Sequence, residues 1–222
     1  VGKMKANSGD KAWQGRLGIT NLTGPYHLWI HAASVGEVRV IGHLINYLRE
    51  HKPDITIFLT TMTRTGFDTA KELYPYENVS ISFFPFDSLT PMKKMVSAVK
   101  PRMLVIAETE IWPNLIDEAD RQNIPVVLIN GRMTEKAFNG YKKIKKVIGN
   151  TLRKYDHFYF KTKEDSRRYL EFGIDNNKVT VAGDMKFDAP LMERDEKVVN
   201  EIKENLGVKE SDFVFVAGST RP

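Results

Sequence analysis

Cysteine is absent from the 222-residue sequence. That excludes a disulfide framework, a cysteine nucleophile and a thiolate metal site, and it fits a reducing compartment. Long apolar runs are missing as well. None approaches the ~20 residues of a membrane-spanning helix, and no secretory leader is visible. Internal repeats and low-complexity tracts are also lacking. Acidic side chains are the minority, 28 against 33 basic ones, which leaves a net charge of +5. Nucleic acid, anionic lipid and phosphorylated sugar would each suit that balance. The sequence begins at Val1 and stops at Pro222 just after an apolar segment. It is therefore expected to be a piece of a longer protein, with room for one substantial core and the start of a second domain.

What is present is a rhythm of short apolar runs: LWIHAA at 28–33, ITIFLT at 55–60, VSISFF at 79–84, MLVIAE at 103–108, PVVLIN at 125–130, HFYFKT at 157–162 and KVTVAG at 178–183. They are rich in Val, Ile and Phe and only a few residues long, the pattern of parallel strands buried on both faces. Helical spacing fills the gaps, as in Val38, Ile41, Leu44, Ile45 and Leu48, which leaves Arg39, Arg49 and Glu50 to face water. Alternating strands and helices with few hairpin signals predict a doubly wound, Rossmann-like parallel α/β sheet. Ligands of such sheets bind at the carboxyl ends of the strands, near a switch in strand order. From Asp184 to Glu210 the character changes, with Pro190, a charge-dense ERDEK run and a helix expected over Lys197–Leu206. FVFVAGST then reads as the first strand and loop of a further domain.

The segment after each strand is where chemistry is expected. The first is His31-Ala32-Ala33-Ser34-Val35-Gly36-Glu37. Its small residues admit a ligand close to the backbone, and Gly36 permits a tight turn. Ser34 and Glu37 have capping-box spacing, which is the structural reading. The functional one makes Glu37 a general base facing a sugar hydroxyl, its pKa lifted by partial burial. His31 is expected to be a hydrogen-bonded residue at the strand end. The second loop, TTMTRTG, offers Thr63 and Arg64 to an anion at a helix start, although threonines there often only cap. In AETEIWPN, Glu108 and Glu110 alternate and would share a face of an extended chain. They either pair with nearby cations or help order a transition state, while Trp112 is expected to pack. Asn130-Gly131-Arg132 again follows a strand. Beyond it, Phe138, Tyr141, Ile144, Ile148 and Leu152 form a stripe beside Lys142, Lys143, Lys145 and Lys146. That is either a helix docked on the sheet or a surface for an anionic membrane. In GDMKFD, Lys186 pairs with Asp184 or Asp188, or reaches a carboxylate or phosphate of a ligand.

Taken in order, HAASVGEV, TTMTRTG, FFPFD, AETEIWPN, INGRMTEKAFNGY, KTKEDSRRYLEFG, VTVAGDMKFD and VAGST resemble the Kdo transferase family (3-deoxy-D-manno-octulosonic acid transferases) from about Leu28 onward. The start, Trp13 to Gly18, resembles the basic segment that follows that family's membrane anchor. The resemblance implies a GT-B glycosyltransferase of two Rossmann-like domains, with residues 1–27 as the segment after an anchor. Residues 28–188 would be the acceptor-side domain, 189–210 a linker and helix, and 211–222 the first strand of a donor-binding domain. It implies CMP-Kdo as donor, a lipid A precursor as acceptor, inversion at the anomeric carbon, and neither cofactor, metal nor nucleic acid. Its place would be the cytoplasmic face of the inner membrane, against an anionic surface. Glu37 falls on the assigned base, and Glu108 and Lys186 on positions credited with stabilising the transition state. Gly218, Ser219 and Thr220 match the start of the donor phosphate loop; Ser34, Gly36, Thr63, Arg64, Glu110, Asn130 and Arg132 are the further substrate-binding candidates. A nucleotide-sugar epimerase of GT-B type and a non-catalytic membrane-docking module are the rival readings.

Overall fold

The computed structural model describes residues 11–188, 195–209 and 211–218. The seven apolar runs from 28 to 183 all form strands: β1 Tyr26–His31, β2 Ile57–Thr61, β3 Val79–Phe83, β4 Pro101–Ala107, β5 Val126–Gly131, β6 His157–Phe160 and β7 Val179–Val181. They make one sheet in the order β3-β2-β1-β4-β5-β6-β7, with every neighbouring pair parallel. The order reverses between β1 and β4. At that switch the outgoing chains diverge to opposite sides and leave a crevice beyond the strand ends.

Parallel strands need crossovers, and helices fill them: α1 Lys11–Arg16, α2 Val35–Val40, α3 Gly42–His51, α4 Arg64–Leu73, α5 Leu89–Val99, α6 Pro113–Arg121, α7 Glu135–Lys142, α8 Lys145–Leu152 and α9 Lys163–Leu170. Successive strand residues point to opposite faces, so the sheet has two cores. Trp29, Leu104, Ile106, Val126 and Phe158 pack under α5, α6, α8 and α9. Ile30, Ile57, Leu59, Val105 and Ala107 pack under α2, α3 and α4, meeting Val38, Ile41, Ile45 and Ala70. Each fully buried Ile, Leu or Phe contributes about 1.5–3 kcal/mol. Inside the sheet's first core the Trp29 indole N–H is satisfied, donating to Thr60 Oγ1 at 2.8 Å.

Three expectations are adjusted. The compact unit does not begin at residue 28. Trp13 meets the Phe86 ring edge-on, and Arg16 donates to the Met62 carbonyl at 2.6 Å, which fastens the preceding segment to the β2 and β3 ends. The stripe from Phe138 to Leu152 is not one helix, because the chain turns at Lys143–Ile144 between α7 and α8. That offset buries Ile148 and Leu152 but leaves Ile144 and Val147 exposed. In a second compact unit, α10 Glu196–Leu206 forms where a helix was expected, capped by Asp195. Residues 211–218 have no strand structure, since a strand exists only when a neighbour takes its backbone hydrogen bonds.

Candidate active site

The β1 loop reaches the switch crevice first. Ser34 caps α2: its Oγ accepts from the Glu37 amide at 3.4 Å and donates to Glu37 Oε1 at 3.0 Å. Glu37 Oε2 accepts from the Ala33 amide at 2.8 Å. The capping reading of Glu37 is thus realised with the return bond shifted by one residue, to the Ala33 amide rather than that of Ser34, and it fixes a half-buried carboxylate at the carboxyl rim of the sheet. Burial raises its pKa, the Ala33 and Ser34 hydrogen bonds oppose that, Glu108 adds to it and Arg132 opposes it; the balance is upward. A structural cap and a poised base therefore coincide in one side chain. Gly36 lies in the first turn of α2 rather than in a tight turn, and a Cβ there would meet nothing nearer than Ser34 Oγ at 3.8 Å.

The β2 loop supports the β1 loop. Thr61 Oγ1 and the Met62 amide both donate to the Ala33 carbonyl, at 3.1 and 3.0 Å. Thr63 caps α4 through the Gly66 amide, and Arg64 pairs with Asp68 on the same helix at 2.9 Å. A Cβ at Gly66 would lie 2.4 Å from Thr61 Oγ1 and 2.8 Å from Thr63 Oγ1, so the turn from β2 into α4 closes this tightly only with glycine there. His31 is fully buried against Phe84, its Nδ1 bonded to Thr60, and burial drives its pKa down to about 3. Trp112 packs on Phe84 as expected. Asp87, from the FFPFD block, accepts the Leu115 amide at 3.0 Å and so caps α6 from a distant loop.

Across the switch, Glu108 ends β4 in a left-handed conformation, φ 62°. That backbone is costly for a residue with a Cβ, by about 1–2 kcal/mol. It also breaks the extended run on which Glu108 and Glu110 were expected to share a face. Glu108 instead accepts Arg132 Nε at 3.0 Å on one oxygen and Lys161 Nζ at 3.1 Å on the other. Glu110 forms no hydrogen bond or ion pair among the described residues; burial first, then the charge of Glu37, lifts its pKa to about 7.

Asn130, also left-handed at φ 52°, is the penultimate residue of β5 and accepts the Met185 amide on Oδ1 at 3.1 Å. This clamps the 185–188 turn that carries Lys186. Gly131 is required by space, because a Cβ would stand 2.7 Å from Phe160 Cδ1 and 2.8 Å from Leu128 Cδ2. Arg132, Lys161, Arg168 and Lys186 line a cleft of about 560 Å³ with Asp165 and Asp184. Among the described residues Lys186 forms no ion pair; its amide, not its ammonium, bonds Asp184 at 3.1 Å. Among the described residues no group of three or more His, Asp or Glu side chains is placed to hold a metal.

The structure thus brings together Ser34, Glu37, Glu108, Asn130, Arg132 and Lys186. Thr63 and Arg64 are tied to their own helix. Gly218 belongs to the second unit, while Ser219 and Thr220 lie outside the described residues. Sequence reasoning missed Lys161. Its signal was its position, as the residue that ends the apolar run of β6.

The doubly wound fold has counterparts among solved structures. A UDP-N-acetylglucosamine 2-epimerase structure superposes with a TM-score of 0.56 at 12% identity, over 82% of this chain and 53% of that one. The Listeria monocytogenes structure titled a putative UDP-N-acetylglucosamine 2-epimerase gives 0.54 at 14% identity, over 83% and 52%. These establish a GT-B-like domain fold. The sequence profile described as 3-deoxy-D-manno-octulosonic-acid transferase (kdotransferase) matches residues 11–189, and the chain belongs to that family. A bifunctional glycosyltransferase/methyltransferase of Fusobacterium nucleatum is 31% identical, over 91% of this chain and 32% of its own length. The 3-deoxy-D-manno-octulosonic acid transferase of Haemophilus influenzae is 30% identical, over 78% and 40%. The chain spans about a third to a half of the curated relatives it matches.

Proposed function

We propose that this chain is the acceptor-side domain of an inverting glycosyltransferase that moves Kdo from CMP-Kdo to a lipid A precursor. Glu37 carries the reading: a carboxylate fixed by two hydrogen bonds at the switch point, its pKa raised, on the same rim as cations. In the reaction Glu37 takes the proton of the acceptor's primary hydroxyl. The hydroxyl oxygen forms its bond to the anomeric carbon of Kdo, and the bond from that carbon to the CMP phosphate breaks. The electron pair leaves on the phosphate, and attack from the opposite face inverts the centre.

Negative charge gathers on the donor carboxylate and departing phosphate. Lys186 and the outer face of Arg132 are the groups of this chain suited to offset it. Glu108, held between Arg132 and Lys161, orders those cations rather than meeting the sugar. A positioned base contributes about 10²–10⁴-fold. Much of the rest comes from holding both substrates in a dry cleft, so the 222-residue chain is not expected to transfer Kdo alone. Ile144 and Val147, exposed among Lys142, Lys143, Lys145 and Lys146, suit contact with an anionic membrane at its cytoplasmic face, where a lipid acceptor would be met.

The test is a full-length transfer assay with CMP-Kdo and a tetra-acylated lipid A precursor, comparing wild type with Glu37→Gln. Transfer should fall by about 10²-fold or more while CMP-Kdo binding persists. Undiminished transfer by the variant would contradict the assignment of Glu37, and transfer by the 222-residue chain itself would overturn the expectation that it is inactive alone.

A further inference from the structure

Lys161 is the most buried cation of the cleft, its side chain 9% exposed, and it stands between two carboxylates. Its ammonium lies 3.1 Å from Glu108 Oε1 and 3.4 Å from Asp184 Oδ2. It therefore joins the end of β4, the end of β6 and the turn after β7. Asp184 uses its other oxygen, Oδ1, to accept the Lys186 amide at 3.1 Å. That bond holds residue 186 beside the Asp184 carboxylate. The Lys186 ammonium is near enough to act on Asp184 electrostatically, yet the two form no ion pair. Asp184 is thus the acid best placed to capture Lys186, and Lys161 already occupies it.

We infer that Lys161 is a positioning residue that keeps Asp184 engaged, so that the ammonium of Lys186 stays available to an incoming anion. This rests on the transferase reading only for its link to turnover. Glu108 needs Lys161 less, because Arg132 holds its other oxygen at 3.0 Å. Removing the Lys161 ammonium leaves Asp184 Oδ2 without its cation, and Lys186, two residues along, closes onto it. The cleft then loses two positive charges to a ligand, one by deletion and one by capture.

The experiment combines Lys161→Met, Asp184→Asn and the double variant, with thermal midpoints to confirm folding. Asparagine retains an oxygen for the Lys186 amide but cannot hold an ammonium as an ion pair. In the 222-residue chain, acetylation of Lys186 by acetic anhydride at neutral pH, followed by mass spectrometry, reads the freedom of that amine. An exposed ion pair worth up to about 1 kcal/mol corresponds to a two- to fivefold change. Lys161→Met should slow labelling of Lys186 about two- to fivefold, and adding Asp184→Asn should restore it. In the full-length enzyme kcat should fall with Lys161→Met and recover partly in the double variant, a rescue that simple loosening of the fold would not give. If Lys161→Met does not fold, Lys161→Gln, which can still bond Glu108, carries the same test. Unchanged labelling in a folded variant, or no recovery in the double variant, overturns the inference. The labelling needs no catalysis, so an enzyme that transfers no Kdo would count against the proposed function and leave this result to stand or fall separately.

Discussion

Replacing Glu110 by glutamine removes a proton equilibrium that the fold has displaced. Burial, and behind it the charge of Glu37, moves this carboxyl from its ordinary 4.5 to about 7. The folded protein then holds the Glu110 proton more tightly than the unfolded chain does. Stability from this group is complete below pH 4.5 and is lost as pH climbs to 7. At 1.36 kcal/mol per pKa unit the displacement corresponds to at most about 3 kcal/mol. Glu110 is only partly buried, so screening reduces this to about 1–2 kcal/mol. Glutamine has the same shape and no charge. In urea unfolding, Glu110→Gln should match wild type near pH 4.5 and exceed it by about 1–2 kcal/mol at pH 8. A variant no more stable than wild type at pH 8, or one whose difference from wild type does not grow between those pH values, would refute the reasoning.

Gly131→Ala places a Cβ against Phe160 and Leu128 and should cost about 1–3 kcal/mol in urea unfolding; an unchanged midpoint would mean that both side chains move aside. His31, buried with a pKa near 3, should stay neutral from pH 5 to 8. Its ring proton shifts in NMR should then be flat over that range, and a midpoint within it would show that the ring is solvated.

The strands were legible because an apolar run bounded by polar residues has few other ways to hide its side chains. The capping box at Ser34 and Glu37 was legible because it spans three residues and needs no distant partner. The single basic helix over 138–152 was not, since periodicity cannot detect the turn at Lys143–Ile144 that sends Ile144 outward. Asp87 looked like part of an unexplained block, and its role as the cap of α6 depends on a contact from 27 residues away.

By itself, the order of residues determined the alternation of strands and helices, the rim on which Glu37, Glu108, Asn130 and Lys186 would fall, and the family. Those follow from local patterning, which each segment carries within itself. Only the tertiary structure decided that β1 and β4 are neighbours, which sets Glu37 across a crevice from Glu108. It alone decided that Glu108 is spent on Arg132 and Lys161, leaving Glu110 unpaired and Lys186 without an ion pair among the described residues. Charges far apart in sequence choose partners by distance, and distance is set by the order of strands in the sheet.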